Sequence, residues 1–382
     1  MLNTNSPNDD AARETSTTGA QRSLLGHWIS LVGWMGIAGG IAVCFLGFSA
    51  FIAPDFWFTD NMSFFLRQFL GAGICGLVGG LGGLTVSHRL PVLYRKLLLV
   101  LAILLITLGG LMMARIDAVT TSASSIHAGE DTTNIRLVSI NLENLYLGDE
   151  TLSAYLDALQ ADVIVLQETS LGWQKQRLHH REGTTDLTAL NSYPAFIAEG
   201  RLGDLVIFSR FPLKRTDAIT IEGFENGNPY DHTDREILSL TLDVDGRPLN
   251  LIAVHPNSPR SRNRWLDRQS YLEAVASEYQ RLGTQEPAVI LGDWNLSPWS
   301  GHFLKILTDN GLTTAFPGGF PQTTRFFFDY RLHWLLGAIV DHVAVSKDIR
   351  IDHVELGPPL PTDHLPLVVD LSLVTGSKVN AN

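Results

Sequence analysis

Three long apolar runs occupy the first 115 residues of the chain. Residues 28–53, 69–86 and 97–114 contain no charged side chain. About 20 apolar residues in a helix cross the roughly 30 Å hydrocarbon core of a bilayer, so each run is long enough or nearly so. The second run is rich in glycine, which is costly in a soluble helix but allows close helix contact in a membrane. The pattern predicts a three-helix transmembrane anchor over residues 26–115.

The charges flanking these runs predict the orientation of the anchor. Lys and Arg accumulate in the short loops on the cytoplasmic side of a membrane. Five basic residues precede the first run or separate the second from the third: Arg13, Arg22, Arg89, Arg95 and Lys96. The N-terminus is therefore expected in the cytoplasm, with residues 1–25 as a polar, disordered tail. The chain after residue 115 is expected on the extracytoplasmic (periplasmic) side of a cytoplasmic (inner) membrane.

A different pattern begins after a small, polar linker at residues 116–133. Within 134–376, apolar residues alternate with polar ones in short runs or recur with helical spacing, and this predicts an α/β domain. Asp245 and Gly246 provide the tight turn of a hairpin. Strands are predicted within 135–141, 161–168, 204–212, 235–255, 288–295, 340–346 and 361–373, and helices within 149–160 and 262–282.

Composition adds two constraints on this domain. Both cysteines, Cys44 and Cys75, lie in the apolar runs, so the domain needs no disulfide bond. Residues 116–382 contain 21 basic and 34 acidic side chains, a net charge of −13. Proteins that bind polyanions without selectivity are normally basic, because their affinity comes mainly from neutralising phosphates. The charge therefore argues against broad nonspecific binding of nucleic acid.

Polar residues stand at the ends of the predicted strands. In the segment PAVILGDWNLSPWS, residues 287–300, Asp293 and Asn295 follow an apolar run directly. Turn formation is the structural alternative for these two residue types. Alternation along the strand end predicts both side chains on one face, with Trp294 on the other. The arrangement recurs at six strand ends, which is typical of an active site on one edge of an α/β sandwich.

The motifs at these strand ends resemble, in kind and order, those of the endonuclease/exonuclease/phosphatase superfamily. They are Asn141-x-Glu143, LQE with Glu168, IFSRFP, REILSL with Arg235, AVHP with His255, LGDWN with Asp293 and Asn295, VDHVAVS with Asp341, and TDHLPL with Asp363 and His364. The resemblance covers residues 135–375, and the three-helix front end is similar to that of membrane-anchored bacterial members. It implies a four-layer α/β sandwich of two mixed β-sheets flanked by helices, preceded by three transmembrane helices.

The resemblance also implies a hydrolase that cleaves phosphate esters with the help of Mg²⁺ or Mn²⁺. Hard cations of this kind prefer carboxylate oxygen. Glu168 is the main expected metal ligand, and Asn141 is expected to orient its carboxylate or to contact the metal through water. Glu143 and Asp363 are the further candidate metal ligands, Asp363 for a second, transient ion.

The same resemblance implies the catalytic groups. Asn295 is expected to donate its amide to a phosphoryl oxygen, and Asp341 is expected to orient His364. Either Asp293 or His364 acts as the general base toward water, and the residues alone leave this open. His255 is expected to serve the leaving group or a phosphate oxygen.

Four further features have two interpretations each. Arg235 contacts substrate phosphate or is an ordinary edge-strand residue, and Asp204 either orients His255 or does not. The segment PRSRNR at 259–264, together with Arg268, binds substrate phosphate or simply begins a helix. The aromatic segment RFFFDYRLHWLLG, residues 325–337, is predicted as a buried strand in preference to an exposed lip that contacts lipid or bases.

These observations favour a membrane-anchored, metal-dependent phosphodiesterase that hydrolyses its substrate by in-line attack of water. Nucleic acid or a generic phosphodiester is the first predicted substrate, and the activity is then nuclease-like. A lipid-directed phosphodiesterase of the sphingomyelinase type, acting on a phospholipid headgroup, is the alternative. A catalytically silent binding or scaffold protein is the second alternative. The lipid bilayer is the expected partner of the anchor, and no protein partner is inferred.

Overall fold

A computed structural model describes residues 7–86, 91–120, 132–223, 233–283 and 286–374. The chain divides into two compact units. The first unit consists of Met1–Ala53 and Phe65–Met113, and the second consists of Pro54–Phe64 and Ala114–Asn382. The short segment after the first apolar run therefore groups with the C-terminal unit. Most of the predicted linker, residues 121–131, lies outside the described residues.

The N-terminal part of the chain is helical. Its helices are α1 (Pro7–Ile52), α2 (Trp57–Met62), α3 (Leu66–Val86) and α4 (Val92–Asp117). Among the described residues, three stretches are long and apolar enough to cross a membrane, namely Gly26–Ile52, Trp57–Thr85 and Val92–Asp117. The first and third coincide closely with apolar runs of the sequence. The second includes the apolar run at 69–86 but begins earlier, and its first residues, through Phe64, group with the second unit.

Glycine allows α1 and α3 to approach each other closely. A Cβ atom at Gly76 would lie 2.3 Å from the carbonyl oxygen of Gly36, so only glycine fits at this contact. The backbone of α1 begins at Pro7, whereas the sequence predicts a disordered tail through residue 25. A helix that already exists extends at little cost, because each added residue gains one hydrogen bond.

Two mixed β-sheets form the second unit. The strands are β1 (Thr132–Asn141), β2 (Val163–Gln167), β3 (Phe196–Glu199), β4 (Val206–Ser209), β5 (Leu213–Ile221), β6 (Arg235–Val244), β7 (Arg247–Val254), β8 (Ala288–Asp293), β9 (Arg325–Phe326), β10 (Gly337–Ala338), β11 (Asp341–Val345), β12 (Ile349–Leu356) and β13 (Leu367–Val374). The first sheet has the order β12-β13-β1-β2-β4-β3, and the second has the order β11-β8-β7-β6-β5. A two-stranded ribbon pairs β9 with β10.

Helices cover the outer face of each sheet. Alternation along β1 places Leu137 in the core between the sheets and Val138 in a second core against the helices. Helices α5 (Glu150–Leu159) and α6 (Leu171–Glu182) complete that second core. On the other side α7 (Arg262–Leu282) packs on β6 and β7, and α8 (Gly301–Asp309) packs beside α7. The predicted four-layer sandwich is confirmed.

The hairpin prediction is also confirmed in detail. β6 and β7 pair in antiparallel register up to Val244 and Arg247, which leaves Asp245 and Gly246 as the two turn residues. Both have positive φ, 53° and 86°, as a type I′ turn requires. This turn matches the twist of the strands it joins.

The prediction of a buried strand at residues 325–337 is wrong. Only short strands lie at its two ends, and between them the chain forms a 3₁₀ turn and the short helix α9 (His333–Leu336). Asp329 accepts a hydrogen bond from Arg331 N at 2.9 Å, so the side chain caps the turn and interrupts the apolar run. Phe328 is 98% exposed and Trp334 is 63% exposed. The segment is an exposed apolar lip.

Candidate active site

Sheet topology brings the polar strand ends to one edge of the sandwich. β1 and β2 are parallel, and β13 runs antiparallel to β1, so two strands end and one begins at the same edge. In the second sheet β7 and β8 are parallel and β11 is antiparallel to β8. At this edge β1, β2, β7 and β8 therefore contribute their C-terminal ends, and the antiparallel strands β11 and β13 contribute their N-terminal ends. The residues at this edge are Asn141, Glu168, His255, Asp293, Asn295, Asp341, Asp363 and His364.

Asp341 and His364 form a buried carboxylate–imidazole pair. His364 Nδ1 lies 2.9 Å from Asp341 Oδ2. An ionised carboxylate only accepts hydrogen bonds, so Nδ1 is the donor. His364 Nε2 is left facing Asp293 Oδ2, which is 3.7 Å away. These three side chains are each at most 4% exposed.

His255 forms a second pair of the same kind. Its Nδ1 lies 2.7 Å from Asp204 Oδ2, and its backbone N–H donates to Tyr271 Oη at 2.9 Å. His255 Nε2 faces two carboxylates, Glu168 Oε1 at 3.5 Å and Asp293 Oδ2 at 3.9 Å. Two imidazoles, each held by its own carboxylate, thus direct their Nε2 atoms at Asp293.

Asn141 connects the remaining acidic groups. Its Nδ2 donates to Glu168 Oε1 at 3.0 Å and to Asp293 Oδ2 at 3.2 Å. Its Oδ1 accepts from the backbone N–H of Glu143 at 3.1 Å, which fixes the orientation of the amide. The amide therefore orients the carboxylate of Glu168 and bridges it to that of Asp293.

Carboxylates raise the pKa of both imidazoles. Burial alone would lower the pKa of His364, but Asp341 and Asp293 outweigh burial and raise it to about 9. Burial acts in the same sense on His255, yet Asp204 and neighbouring carboxylates raise its pKa to about 10. The site therefore concentrates negative charge strongly enough to hold two protonated imidazoles.

The pKa values of the Asp293 and Glu168 carboxylates shift in opposite directions. Burial and then the charge of Asp341 raise the pKa of Asp293. Burial also opposes ionisation of Glu168, but hydrogen bonds from His255 and Asn141 lower its pKa to about 2. Burial and Asp341 thus outweigh the two imidazoles at Asp293, and a divalent cation beside this carboxylate would favour its ionised form.

Asp293, Asp341 and His364 could hold such a cation. Each offers one ligand atom, and these atoms lie within 4.8 Å of one another. Glu143, Glu168 and Asp363, which the sequence suggests as ligands, do not form a group of this kind among the described residues.

The structure gives a physical reason for this difference. The Asp363 carboxylate is bound by Arg325, whose Nε and Nη2 donate to Oδ2 at 2.9 and 2.8 Å. Glu143 is exposed, and its carboxylate accepts from the backbone N–H of Asp363 at 3.2 Å. Both acidic groups are therefore engaged by protein donors.

A cleft of about 320 Å³ opens beside the cluster. Glu168, Asp204, His255 and Asn295 line its acidic and catalytic side. Its other lining residues include four arginines, Arg235, Arg260, Arg264 and Arg325. Although the domain as a whole is acidic, its positive charge is concentrated where an anion would meet the catalytic groups.

Comparison with known proteins agrees with this arrangement. A model of the Endonuclease/Exonuclease/phosphatase family matches residues 133–364. The chain belongs to this family. A search of curated proteins finds no match.

Several solved structures are similar to this chain. An endonuclease/exonuclease/phosphatase from Beutenbergia cavernae is 22% identical, with 63% of this chain and 72% of that one covered and a TM-score of 0.47. A family protein from Bacteroides thetaiotaomicron is 15% identical, with 64% and 100% covered and a TM-score of 0.48. D. rerio TDP2, in complex with a single-strand DNA product, is 17% identical, with 63% and 99% covered and a TM-score of 0.47.

Within this family fold, the predicted arginine cluster is only partly at the cleft. Arg260 and Arg264 line it, whereas Arg262 does not. Of the two interpretations, phosphate binding does not apply to Arg268, because its side chain is fully buried and does not line the cleft. Its Nη2 lies 2.5 Å from the carboxylate of Asp60, a residue of the segment Pro54–Phe64.

Asn295 and Trp294 occupy opposite sides of the strand end. Asn295 Nδ2 donates to Pro256 O at 3.0 Å and also contacts Asp293 Oδ2 at 3.3 Å. Trp294 is buried, and its indole N–H donates to His342 O at 3.1 Å. The alternation of the sequence had indicated this division.

Several site residues escape sequence reasoning. Arg325 and Asp60 gain their importance from partners that are distant in sequence, so no local signal points to them. His342 follows Asp341 directly, and its position alternates inward on a short apolar strand, which is a signal for burial. It packs among Trp294 and Phe303, and its Nε2 lies 2.7 Å from Leu296 O.

Proposed function

We propose that this protein is a metal-dependent phosphodiesterase anchored in the cytoplasmic membrane, with its active site on the extracytoplasmic side. One observation carries the proposal. Two carboxylate–imidazole pairs, Asp341–His364 and Asp204–His255, direct their Nε2 atoms at the buried Asp293 beside an arginine-lined cleft. This arrangement supplies a base, proton donors and phosphate ligands at one place.

The chain's own groups suggest a division of labour. Asp293 lies within 3.9 Å of both imidazoles, so it is placed to align or deprotonate the attacking water. His364, held by Asp341, stabilises charge that develops on the phosphate. His255, held by Asp204, donates a proton to the leaving group. Asn295 exchanges its longer contact with Asp293 for a phosphoryl oxygen.

A divalent cation fits the acidic side of the cleft. When bound, Mg²⁺ or Mn²⁺ neutralises charge on the phosphate oxygens and acidifies water. Glu168 is the carboxylate proposed to hold it, and Asn141, whose Nδ2 donates to both Glu168 and Asp293, orients it. Asp363 and Glu143 would become ligands of this cation only after their present hydrogen bonds, from Arg325 and from the backbone N–H of Asp363, are broken.

The arginines favour a polyanionic substrate, so nucleic acid or a generic phosphodiester ranks first. A phospholipid headgroup ranks second, and the exposed aromatic lip at residues 325–337 is the observation in its favour. A silent scaffold is disfavoured, because the described site keeps every catalytic group in contact with its partner.

The activity test uses the full chain in detergent, since the segment Pro54–Phe64 belongs to the same compact unit as the sandwich. We expect hydrolysis of bis-p-nitrophenyl phosphate with Mg²⁺ or Mn²⁺ and none with EDTA. Glu168→Gln, Asp293→Asn and His364→Ala should each lower kcat at least about a hundredfold, as losing a proton-transfer or metal-binding group does. Glu182→Gln, an exposed change at the end of α6, is the matched control.

Activity that survives EDTA, or a fully active triple variant, would exclude this assignment. The substrate is decided by a panel of plasmid, single-stranded DNA, RNA and mixed phospholipid vesicles. We expect cleavage of nucleic acid. Release of headgroups with intact nucleic acid would instead establish the lipid-directed activity.

A further inference from the structure

The segment Pro54–Phe64 lies between the first two apolar helices in sequence but packs on the sandwich. Trp57 Nε1 and Asn61 Nδ2 both donate to Pro259 O, at 2.8 and 3.0 Å. Ser63 O accepts from Ser297 Oγ at 2.9 Å. The segment therefore contacts both loops that border the cleft, one after β7 and one after β8.

Asp60 is the buried centre of these contacts. Its side chain is 1% exposed. Oδ2 accepts from Arg268 Nη2 at 2.5 Å and from Trp265 Nε1 at 2.9 Å, and Oδ1 accepts from Ser300 Oγ at 2.5 Å. A guanidinium and a carboxylate removed from water need each other, because either one alone would be an uncompensated buried charge.

Arg268 contacts both Asp60 and the loop that carries Asn295, a residue of the candidate active site. Its Nη1 donates to the backbone carbonyl of Asn295 at 2.6 Å. Asn295 has φ of 45°, a left-handed conformation that a non-glycine residue keeps only when its surroundings hold it. The backbone N–H of Asn295 in turn donates to Asp293 Oδ1 at 2.8 Å. Two residues, Arg268 and Asn295, thus connect Asp60 to the proposed base, Asp293.

Close packing keeps the segment in place. A Cβ atom at Gly301 would lie 2.6 Å from Cβ of Pro54, so the start of α8 approaches the segment as only glycine permits. His302 Nε2 lies 3.1 Å from Pro54 O. The contact is therefore specific along the whole segment rather than confined to one charge pair.

We propose that Asp60 is a positioning residue for phosphodiester hydrolysis. It holds Arg268, and Arg268 fixes the carbonyl of Asn295, so the amide of Asn295 faces the cleft. A residue in the short segment between the apolar helices α1 and α3 thereby controls the geometry of the proposed active site. The inference rests on the proposed function for its kinetic effect, but the contact itself is testable without activity.

The kinetic test is a double-mutant cycle in the full chain, with bis-p-nitrophenyl phosphate as the substrate. We expect Asp60→Asn to lower kcat between about tenfold and a hundredfold, the range that a misplaced catalytic group produces, with little change in KM. In the Asn295→Ala background the same change should have no further effect. Asp55→Asn, an exposed change in the same segment, is the control and should be neutral.

A purely structural role gives a different result, because loss of folded protein lowers kcat by the same factor in both backgrounds. That outcome overturns the proposal, and so does unchanged activity of Asp60→Asn. If Asp60→Asn does not fold, Ser300→Ala, which removes one hydrogen bond to Asp60 and keeps the charge pair, is carried through the same cycle with a smaller expected loss.

Hydrogen exchange provides the readout that does not depend on activity. In Asp60→Asn, the amides of residues 294–300 should exchange faster than in the wild type, and in Asp55→Asn they should not. Unchanged exchange contradicts the positioning role. If the wild-type protein shows no phosphodiesterase activity, the proposed function is wrong. Faster exchange in Asp60→Asn would still support the contact between Asp60 and the loop of Asn295.

Discussion

Histidine chemistry at the site depends on which groups surround each ring. His255 and His364 are buried, and carboxylates at Nδ1 raise their pKa values to about 10 and 9. His342 is equally buried but faces aromatic rings and the carbonyl of Leu296. Burial therefore dominates and lowers its pKa to about 4. The same residue type thus has a raised pKa at two positions and is a neutral packing group at a third.

The lowered pKa of His342 predicts that the folded protein loses stability in acid. Its folded-state pKa lies below the ordinary value of about 6.5, so the unfolded chain binds the proton first as the pH falls. Stability that is complete above pH 6.5 is lost toward pH 4, by at most about 3 kcal/mol. Urea unfolding at pH 7.5 and 4.5 measures this loss. His342→Gln, which does not titrate, should show less of it.

The matched control is His353→Gln, because His353 is exposed on β12. This variant should lose as much stability in acid as the wild type. Equal acid sensitivity of the wild type and His342→Gln would mean that other groups account for the effect.

At the scale of elements, the segment 325–337 shows that a capped turn can interrupt a run of apolar residues that would otherwise form a buried strand. Its aromatic run predicts a buried strand, but Asp329 caps a turn in the middle of the run. Arg325 at its start binds Asp363, which ties the base of the segment to the active site. Phe327, Phe328 and Trp334 are left exposed beside the arginine-lined cleft.

Exposure of this lip predicts that it contributes little to stability. Phe328→Asn, chosen because asparagine tolerates the φ of 66° at this position, and Trp334→Ser should each change the free energy of unfolding by less than about 0.5 kcal/mol. Phe303→Ala, at a fully buried position on α8, should cost about 3–5 kcal/mol and serves as the reference. Losses of that size at residues 328 and 334 would mean that the lip is packed. Urea unfolding measures all three.

For the whole molecule, the packing of residues 54–64 with the sandwich constrains topology. Two parts of one compact unit lie on the same side of a membrane, so an even number of crossings must separate them. The helices α3 and α4, which follow residue 64 and precede the rest of the unit, supply two crossings and satisfy this condition. The predicted anchor is therefore compatible with the grouping of residues 54–64 with the C-terminal unit.

The side of the membrane is predicted by the loop charges. A reporter that is active only outside the cytoplasm should be on when fused after residue 120 and off when fused near residue 92. A fusion near residue 57 should match the one after residue 120, because both positions belong to the same unit. The reverse pattern would place the catalytic domain in the cytoplasm.

The sequence by itself determined the elements and the strand-end residues of this protein. Apolar runs, strand alternation and the Asp245–Gly246 turn are local patterns, and local physical chemistry suffices to interpret them. Only the tertiary structure decided which polar groups meet. Asp60 and Arg268 are 208 positions apart, and Arg325 and Asp363 are 38 apart. Because such pairs form only when strands and helices pack, no local pattern identifies them. For this reason the sequence left the role of Arg268 open, and the aromatic lip was wrongly predicted as a buried strand.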